Sequence, residues 1–214
     1  MWTKWFRLLV IAILLAGVIT PQTANATSIW TVCPSGCSFT SIQAAVDSAG
    51  AGDEIHVAEG TYSGVISRPS PAGYVGGTGT ISQVVYIDKP LAIMGGYSSD
   101  FTQHDPSVYT TMIDAQNLGR GLFIWGDGED ITVEGATIIN GNAAGQGGAP
   151  SSYDVGGAIA SFYENLTLVD SVVKNSTSSV GMGKGGGICF SYGSLQLVYA
   201  CGLLCRTDIS IKNL

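Results

Sequence analysis

Gly121-Leu122-Phe123-Ile124-Trp125, then Ile131-Thr132-Val133-Glu134, then Thr137-Ile138-Ile139-Asn140-Gly141-Asn142 are three short apolar runs, and the chain goes on to repeat them. The succession returns as Gly157-Ala158-Ile159-Ala160-Ser161, Leu166-Thr167-Leu168-Val169-Asp170 and Val172-Val173-Lys174-Asn175-Ser176. A third round opens with Gly187-Ile188-Cys189-Phe190 and continues to Leu195-Gln196-Leu197-Val198. The equivalent residues Ile131, Leu166 and Leu195 are spaced by 35 and 29 positions. One round of three short strands cannot bury its own apolar face, whereas the next round laid on top buries both faces and satisfies the backbone through parallel ladders. The pattern therefore predicts an all-β chain, a right-handed parallel β-helix or solenoid. Asn140, Asn142 and Asn175 fall at corners, where asparagine tolerates left-handed backbone. A β-sandwich is the alternative, but Asn140-Gly141 and Asp127-Gly128 sit at corner positions within a repeat and not between two alternating hairpin strands.

Upstream, Val84-Val85-Tyr86-Ile87, Leu91-Ala92-Ile93-Met94 and Met112-Ile113-Asp114 read as further strands. So does Asp53-Glu54-Ile55-His56-Val57-Ala58, with Ile55 and Val57 on one face and His56 on the other. Before it, Phe39, Ile42, Ala45, Val46 and Ala49 recur at helical steps, which predicts one short capping helix begun by Thr40 or Ser41 and stopped by Gly50.

The first residues form a separate unit. Lys4 and Arg7 precede an apolar run from Leu8 to Ile19, and Ala24-Asn25-Ala26 supplies small residues for a peptidase. Twelve apolar residues fall short of the roughly 20 that a membrane span requires. The expected organisation is a cleaved signal at 1–26, an N-terminal cap at 27–52, parallel coils at 53–198 and an irregular tail at 199–214. In the tail the repeat register is lost and Cys201 and Cys205 appear, as expected of a truncated or frame-shifted end; a divergent C-terminal cap with Ile209 and Ile211 on an edge strand is the alternative. This predicts a secreted or cell-surface protein with no membrane span in the mature chain.

Without residues 1–26 the chain keeps seven cations against sixteen acids, a net charge of −9. Such a chain excludes nucleic acid as a partner, since that affinity comes from Lys and Arg. It also repels polyanionic substrates unless cations cluster or a metal bridges the charges. Cys33 and Cys37 flank Pro34-Ser35-Gly36 and are a disulfide candidate; zinc binding and two free thiols are the alternatives.

Phe39-Thr40-Ser41-Ile42-Gln43-Ala44-Ala45-Val46-Asp47, with Gly52-Asp53-Glu54-Ile55-His56-Val57-Ala58-Glu59-Gly60-Thr61-Tyr62, resembles the N-terminal cap and first coil of pectin-lyase-like β-helix proteins. Gly95-Gly96-Tyr97 through Asp114, with the Gly-Gly-Ala-Ile and Gly-Gly-Gly-Ile turns, is similar to bacterial secreted, adhesin-like and polymorphic outer-membrane proteins. The resemblance implies a fold that hosts lyases, hydrolases, esterases and non-catalytic binders alike. Pectin methylesterases would need an aspartate where Leu122-Phe123-Ile124-Trp125 has none, and polygalacturonases a Gly-His-Gly that is missing. No motif matches the calcium acids and arginine of pectate lyases. No catalytic or cofactor-binding residue is therefore assigned.

Asp127, Glu129 and Asp130 crowd one loop and could hold calcium, although a solvated acidic turn explains the same composition. A glycosidase pair would need Asp114, Glu134 or Asp170 on one face, with Glu134 and Asp170 ending equivalent strands. His56 and His104 read as ordinary surface or corner residues. Tyr62, Tyr74, Tyr86, Tyr97, Trp125, Phe162 and Tyr163 could form a sugar-stacking strip, or simply pack. The expected function is a non-catalytic, adhesin-like or glycan-contacting module facing polysaccharide or a host or neighbouring cell surface. The rival is a polysaccharide-active enzyme truncated before its catalytic coils. If the leader is read correctly, N-terminal sequencing of the exported protein will begin at Thr27; an intact Met1 terminus on the exported chain would refute the cleavage.

Overall fold

The computed structural model describes residues 27–148, 152–179, 183, 185–198 and 204–205. The leader reading and most of the tail reading lie outside these residues. The strands are β1 (Ile29–Val32), β2 (Asp53–Ala58), β3 (Gly60–Tyr62), β4 (Ile66–Pro69), β5 (Thr80–Ile87), β6 (Leu91–Tyr97), β7 (Thr111–Asp114) and β8 (Arg120–Trp125). They continue as β9 (Asp130–Glu134), β10 (Ala136–Ile139), β11 (Ile159–Phe162), β12 (Asn165–Val169), β13 (Val172–Lys174), β14 (Ile188–Ser191), β15 (Ser194–Val198) and β16 (Leu204–Cys205). One helix, α1 (Ile42–Ser48), lies between β1 and β2.

The first sheet runs β1-β2-β6-β9-β12-β15, the second β3-β7-β10-β13, and the third β4-β5-β8-β11-β14-β16. The expected single right-handed parallel β-helix is corrected by this topology. The chain is all-β overall, but its strands form three sheets of six, four and six, mostly parallel, and β4 pairs with β5 antiparallel. The departure comes from segments outside the repeat. Pro69-Ser70-Pro71 and the glycines up to Gly79 turn the chain back, so that β4 meets β5 in the reverse direction. The segments 98–110, 141–148 and 152–158 also leave the sheets, so the register read from residues 121–198 does not govern the whole chain.

Within the sheets the register stacks like on like. Ile55 pairs with Ile93, Ile93 with Val133, Val133 with Leu168 and Leu168 with Leu197. In the third sheet Val85, Leu122, Ile159 and Ile188 form a second row, and in the second sheet Tyr62, Ile113, Ile138 and Val173 form a third. These rows merge into one core cluster. Alternation along each strand sends every second residue inward, so β2, β7, β9 and β10 show alternating burial.

Helix α1 closes the early part of the core with Ile42, Ala45 and Val46. Ser41 stands at its N-cap in extended backbone, although its side chain makes no capping bond, and Ala49, not Gly50, is the C-cap. Gln43 is locked to the β5 backbone: its Oε1 accepts from Tyr86 N at 2.6 Å and its Nε2 donates to Tyr86 O at 3.2 Å. Lys89 Nζ donates to the Val46 and Ala49 carbonyls, each at 3.0 Å, satisfying acceptors that the helix end leaves free.

Ile93 is fully buried within the longest row, between Ile55 and Val133. Ile93→Ala should cost about 3 kcal/mol, a transfer term plus a cavity term. Urea denaturation will test this, and a loss below about 1 kcal/mol would show that the row is not the tight core described.

Candidate functional site

The third sheet is buried on both faces. Inward residues of β5, β8, β11 and β14 join the main core, whereas Tyr86, Phe123, Ala160 and Cys189 stand in register on the outer face. There they meet Ile81, Val155 and Phe162 in a second apolar cluster edged by Tyr74, Trp125, Tyr153 and Tyr163. The rings are close enough for edge and stacked contacts. Tyr74 lies 5.5 Å from Phe123, 5.8 Å from Phe162 and 6.0 Å from Trp125 between centroids. Trp125 meets Tyr163 edge-on at 5.1 Å, and Tyr163 stacks on Tyr192 at 4.9 Å with planes 5° apart. Trp125 and Tyr163 are half-buried and Tyr192 is 59% exposed, so the cluster reaches the surface as an aromatic face.

Arg120 pins the loops that cover this cluster. It is fully buried; its Nε donates to Val155 O at 3.1 Å, its Nη1 to Gln146 Oε1 at 3.0 Å, and its Nη2 to Gly147 O at 2.8 Å and to Tyr74 Oη at 3.0 Å. Tyr74 Oη in turn donates to Gln146 O at 2.9 Å. Burial lowers the Arg120 pKa, with the Tyr74 hydroxyl opposing, and burial raises that of Tyr74. A guanidinium nonetheless stays charged in proteins, so four acceptors here share a retained cation.

Glu164 lies at the turn beside Tyr163. It is 1% exposed, and neither carboxylate oxygen has a hydrogen-bond partner. Burial raises its pKa, and the Glu129 and Asp127 charges add to that; the nearby Glu129 and Asp127 amides counter it without reaching hydrogen-bond geometry.

A second cluster occupies the outer face of the first sheet. Both histidines of the chain pack on one tyrosine: His56 stacks on Tyr97 at 4.5 Å, and His104 lies over it at 4.3 Å. Glu54 Oε2 is 3.0 Å from His56 Nε2, and Glu134 Oε1 is 3.8 Å from His104 Nε2, which also meets Gly95 O at 2.8 Å. Burial raises the Tyr97 pKa, with Glu54 and Glu134 adding to it. The loop that carries His104 is ordered by Asp100, whose bonds from the Ser98 and Thr102 hydroxyls pull it down to about 2.

The residues singled out from sequence are thus distributed unevenly. Trp125, Tyr163, Phe162, Tyr74 and Tyr86 do come together. Tyr62 does not: it is a core residue, its hydroxyl donates to Ala58 O at 2.9 Å, and burial pushes it up to about 12. Tyr97 belongs to the histidine cluster. Glu134 pairs with Val169 in the ladder, so Asp170 falls one position beyond it, exposed and in left-handed backbone. Asp114 is occupied by the Asn140 side chain at 2.8 Å. Asp127, Glu129 and Asp130 are exposed, and no group of three or more His, Cys, Asp or Glu gathers to hold a metal among the described residues. Cys33 and Cys37 are joined as a disulfide with Cα atoms 5.7 Å apart, and Cys189 is buried.

Sequence reasoning missed the histidine pair, Arg120, Glu164 and Tyr192. Tyr192 occupies in the third round the place of Tyr163 in the second, a signal that the alignment of repeats already contained.

No family model, no curated protein and no solved structure matches the chain. Among the described residues no helix is long and apolar enough to cross a membrane.

Arg120→Met should cost about 3 kcal/mol or more, because Gln146, Gly147, Val155 and Tyr74 lose their shared donor. Limited proteolysis should then cut within 70–79 and 143–156 before the sheets; unchanged protection of both segments would refute the pinning role.

Proposed function

We propose that this protein is a non-catalytic, secreted or cell-surface module that contacts neutral glycans through the outer aromatic face of the third sheet. The observation that carries this is the continuous run Trp125–Tyr163–Tyr192, half-buried at one end and 59% exposed at the other. Aromatic rings offer an apolar surface to the C–H faces of a sugar, and the hydroxyls of Tyr163 and Tyr192 add polar contacts at its edge. The acidic balance of the chain selects among glycans. A net charge of −7 over the whole chain, with Asp127, Glu129 and Asp130 exposed on the loop that follows Trp125, favours neutral polymers over uronate-rich ones. Glu134 and Asp170 occupy different ladder positions and Asp114 accepts from Asn140 Nδ2, so this reading draws on the rings and not on these acids. The leader pattern at 1–26 supports export.

Tyr192→Ala removes the most exposed ring with little effect on the core. It should weaken retention on neutral glucans, mannans or xylans in affinity electrophoresis by about 3- to 10-fold, as expected for one lost stacking contact. Wild-type protein should run unretarded on polygalacturonate. Undiminished binding by the Tyr192→Ala protein would remove the aromatic face from the reading, and release of new sugar ends by the wild type would replace it with an enzyme.

A further inference from the structure

Glu164 is the one acid among the described residues that is fully buried with both oxygens unpartnered. Its carboxylate lies directly against Gly126, where any side chain would collide with it, and Gly193 packs against its backbone from the next turn. The Gly126–Asp130 loop covers it. That loop is tied to the Glu164 turn by Gly126 N to Phe162 O at 3.3 Å, Asn165 N to Glu129 O at 2.9 Å and Asn165 Nδ2 to Gly128 O at 3.2 Å. The charges that bear on Glu164 are Glu129 and Asp127, both acids on this loop, while Tyr163 flanks it on its own turn and Tyr192 on the next. Asp130, at the loop end, accepts from Asn165 Nδ2 at 3.0 Å.

A neutral carboxyl can remain in such a place. An ionised one is desolvated, unpartnered and repelled by two neighbours, and the response open to it is to leave. Leaving means lifting the loop, and with it the turn that holds Tyr163 between Trp125 and Tyr192.

We propose that Glu164 is a proton-operated latch under the Gly126–Asp130 loop, seated when protonated and released when ionised, so that the aromatic face is ordered under acidic conditions and loosened under alkaline ones. Its consequence for affinity rests on the glycan reading above; the latch itself does not. Because burial raises this group, its seated form contributes stability that is fully present below the ordinary value of 4.5 and is lost as pH rises through the raised one. The sign is opposite to that of Asp53, Asp100 and Asp105, which hydrogen bonds hold below the ordinary range.

Hydrogen exchange of the amides of residues 127–130, corrected for intrinsic rates, tests this in the full chain. Wild-type protection should fall about tenfold between about pH 5 and about pH 8, whereas Glu164→Gln should stay protected throughout. Glu164→Met, apolar and of similar length, should behave like Glu164→Gln and serves if the amide disturbs folding. Parallel pH curves for wild type and variants would overturn the latch. So would calcium-dependent protection at constant pH and ionic strength that Glu164→Gln abolishes, because the carboxylate would then be a cation ligand. If exchange follows the expectation but no neutral glycan binds at any pH, the glycan reading fails and the latch stands. If neutral glycans bind equally at both pH values while wild-type exchange stays flat, the latch fails and the glycan reading stands.

Discussion

Parallel pairing in register is the constraint on which the rest of the molecule depends. A short strand of four or five residues leaves a row of donors and acceptors on each edge, and burial without partners would cost more than its side chains return. Each strand therefore needs a neighbour in register, which is of the same direction everywhere among the described strands except where β4 meets β5. Once Ile93 stands beside Val133, and Val133 beside Leu168, the apolar side chains are aligned in rows, and three such rows close the main core. Register and hydrophobic burial are then one condition, because a slip of one residue would turn every inward side chain to the opposite face.

The same condition governs what can stand between the strands. Gly157 has no space for a side chain, since a Cβ there would strike the carbonyl oxygens of Thr177 and Gly186, and Gly121 is hemmed in by Ile138 and Ala158. The glycines ahead of β11 and β14 serve close approach of one turn to the next. Asn140 and Asn175 accept left-handed backbone at corners, with φ of 55° and 54°. Tyr163 and Tyr192 adopt it too, at 64° and 60°, and these tyrosines are the two that stack at the surface. Holding bulky residues in this region costs energy that the surrounding packing must supply.

Two buried charged residue types show how differently the fold treats polarity. Arg120 is surrounded by four acceptors and joins two loops to the sheet beneath them. Glu164 has no such partners, and its neighbours are acids. The first arrangement keeps its charge, as guanidinium groups in proteins do. The second depends on a proton, and it lies at the edge of the aromatic face and not within the core.

The local pattern of residues 121–198 was enough to align Ile131 with Leu166 and Leu195, and that of residues 39–49 to anticipate one short helix near residue 42, because period-two and period-3.6 burial are properties of neighbouring residues. The acidic balance was likewise legible in the chain alone. The antiparallel turn of β4 on β5 was not, since it arises from the 69–79 segment that interrupts the repeat. Nor were the sites. Tyr74 reaches Trp125, His104 reaches Tyr97, and Glu164 loses its solvent only when residues far apart in sequence are folded over one another, and no periodicity within a strand encodes what will be laid on its outer face.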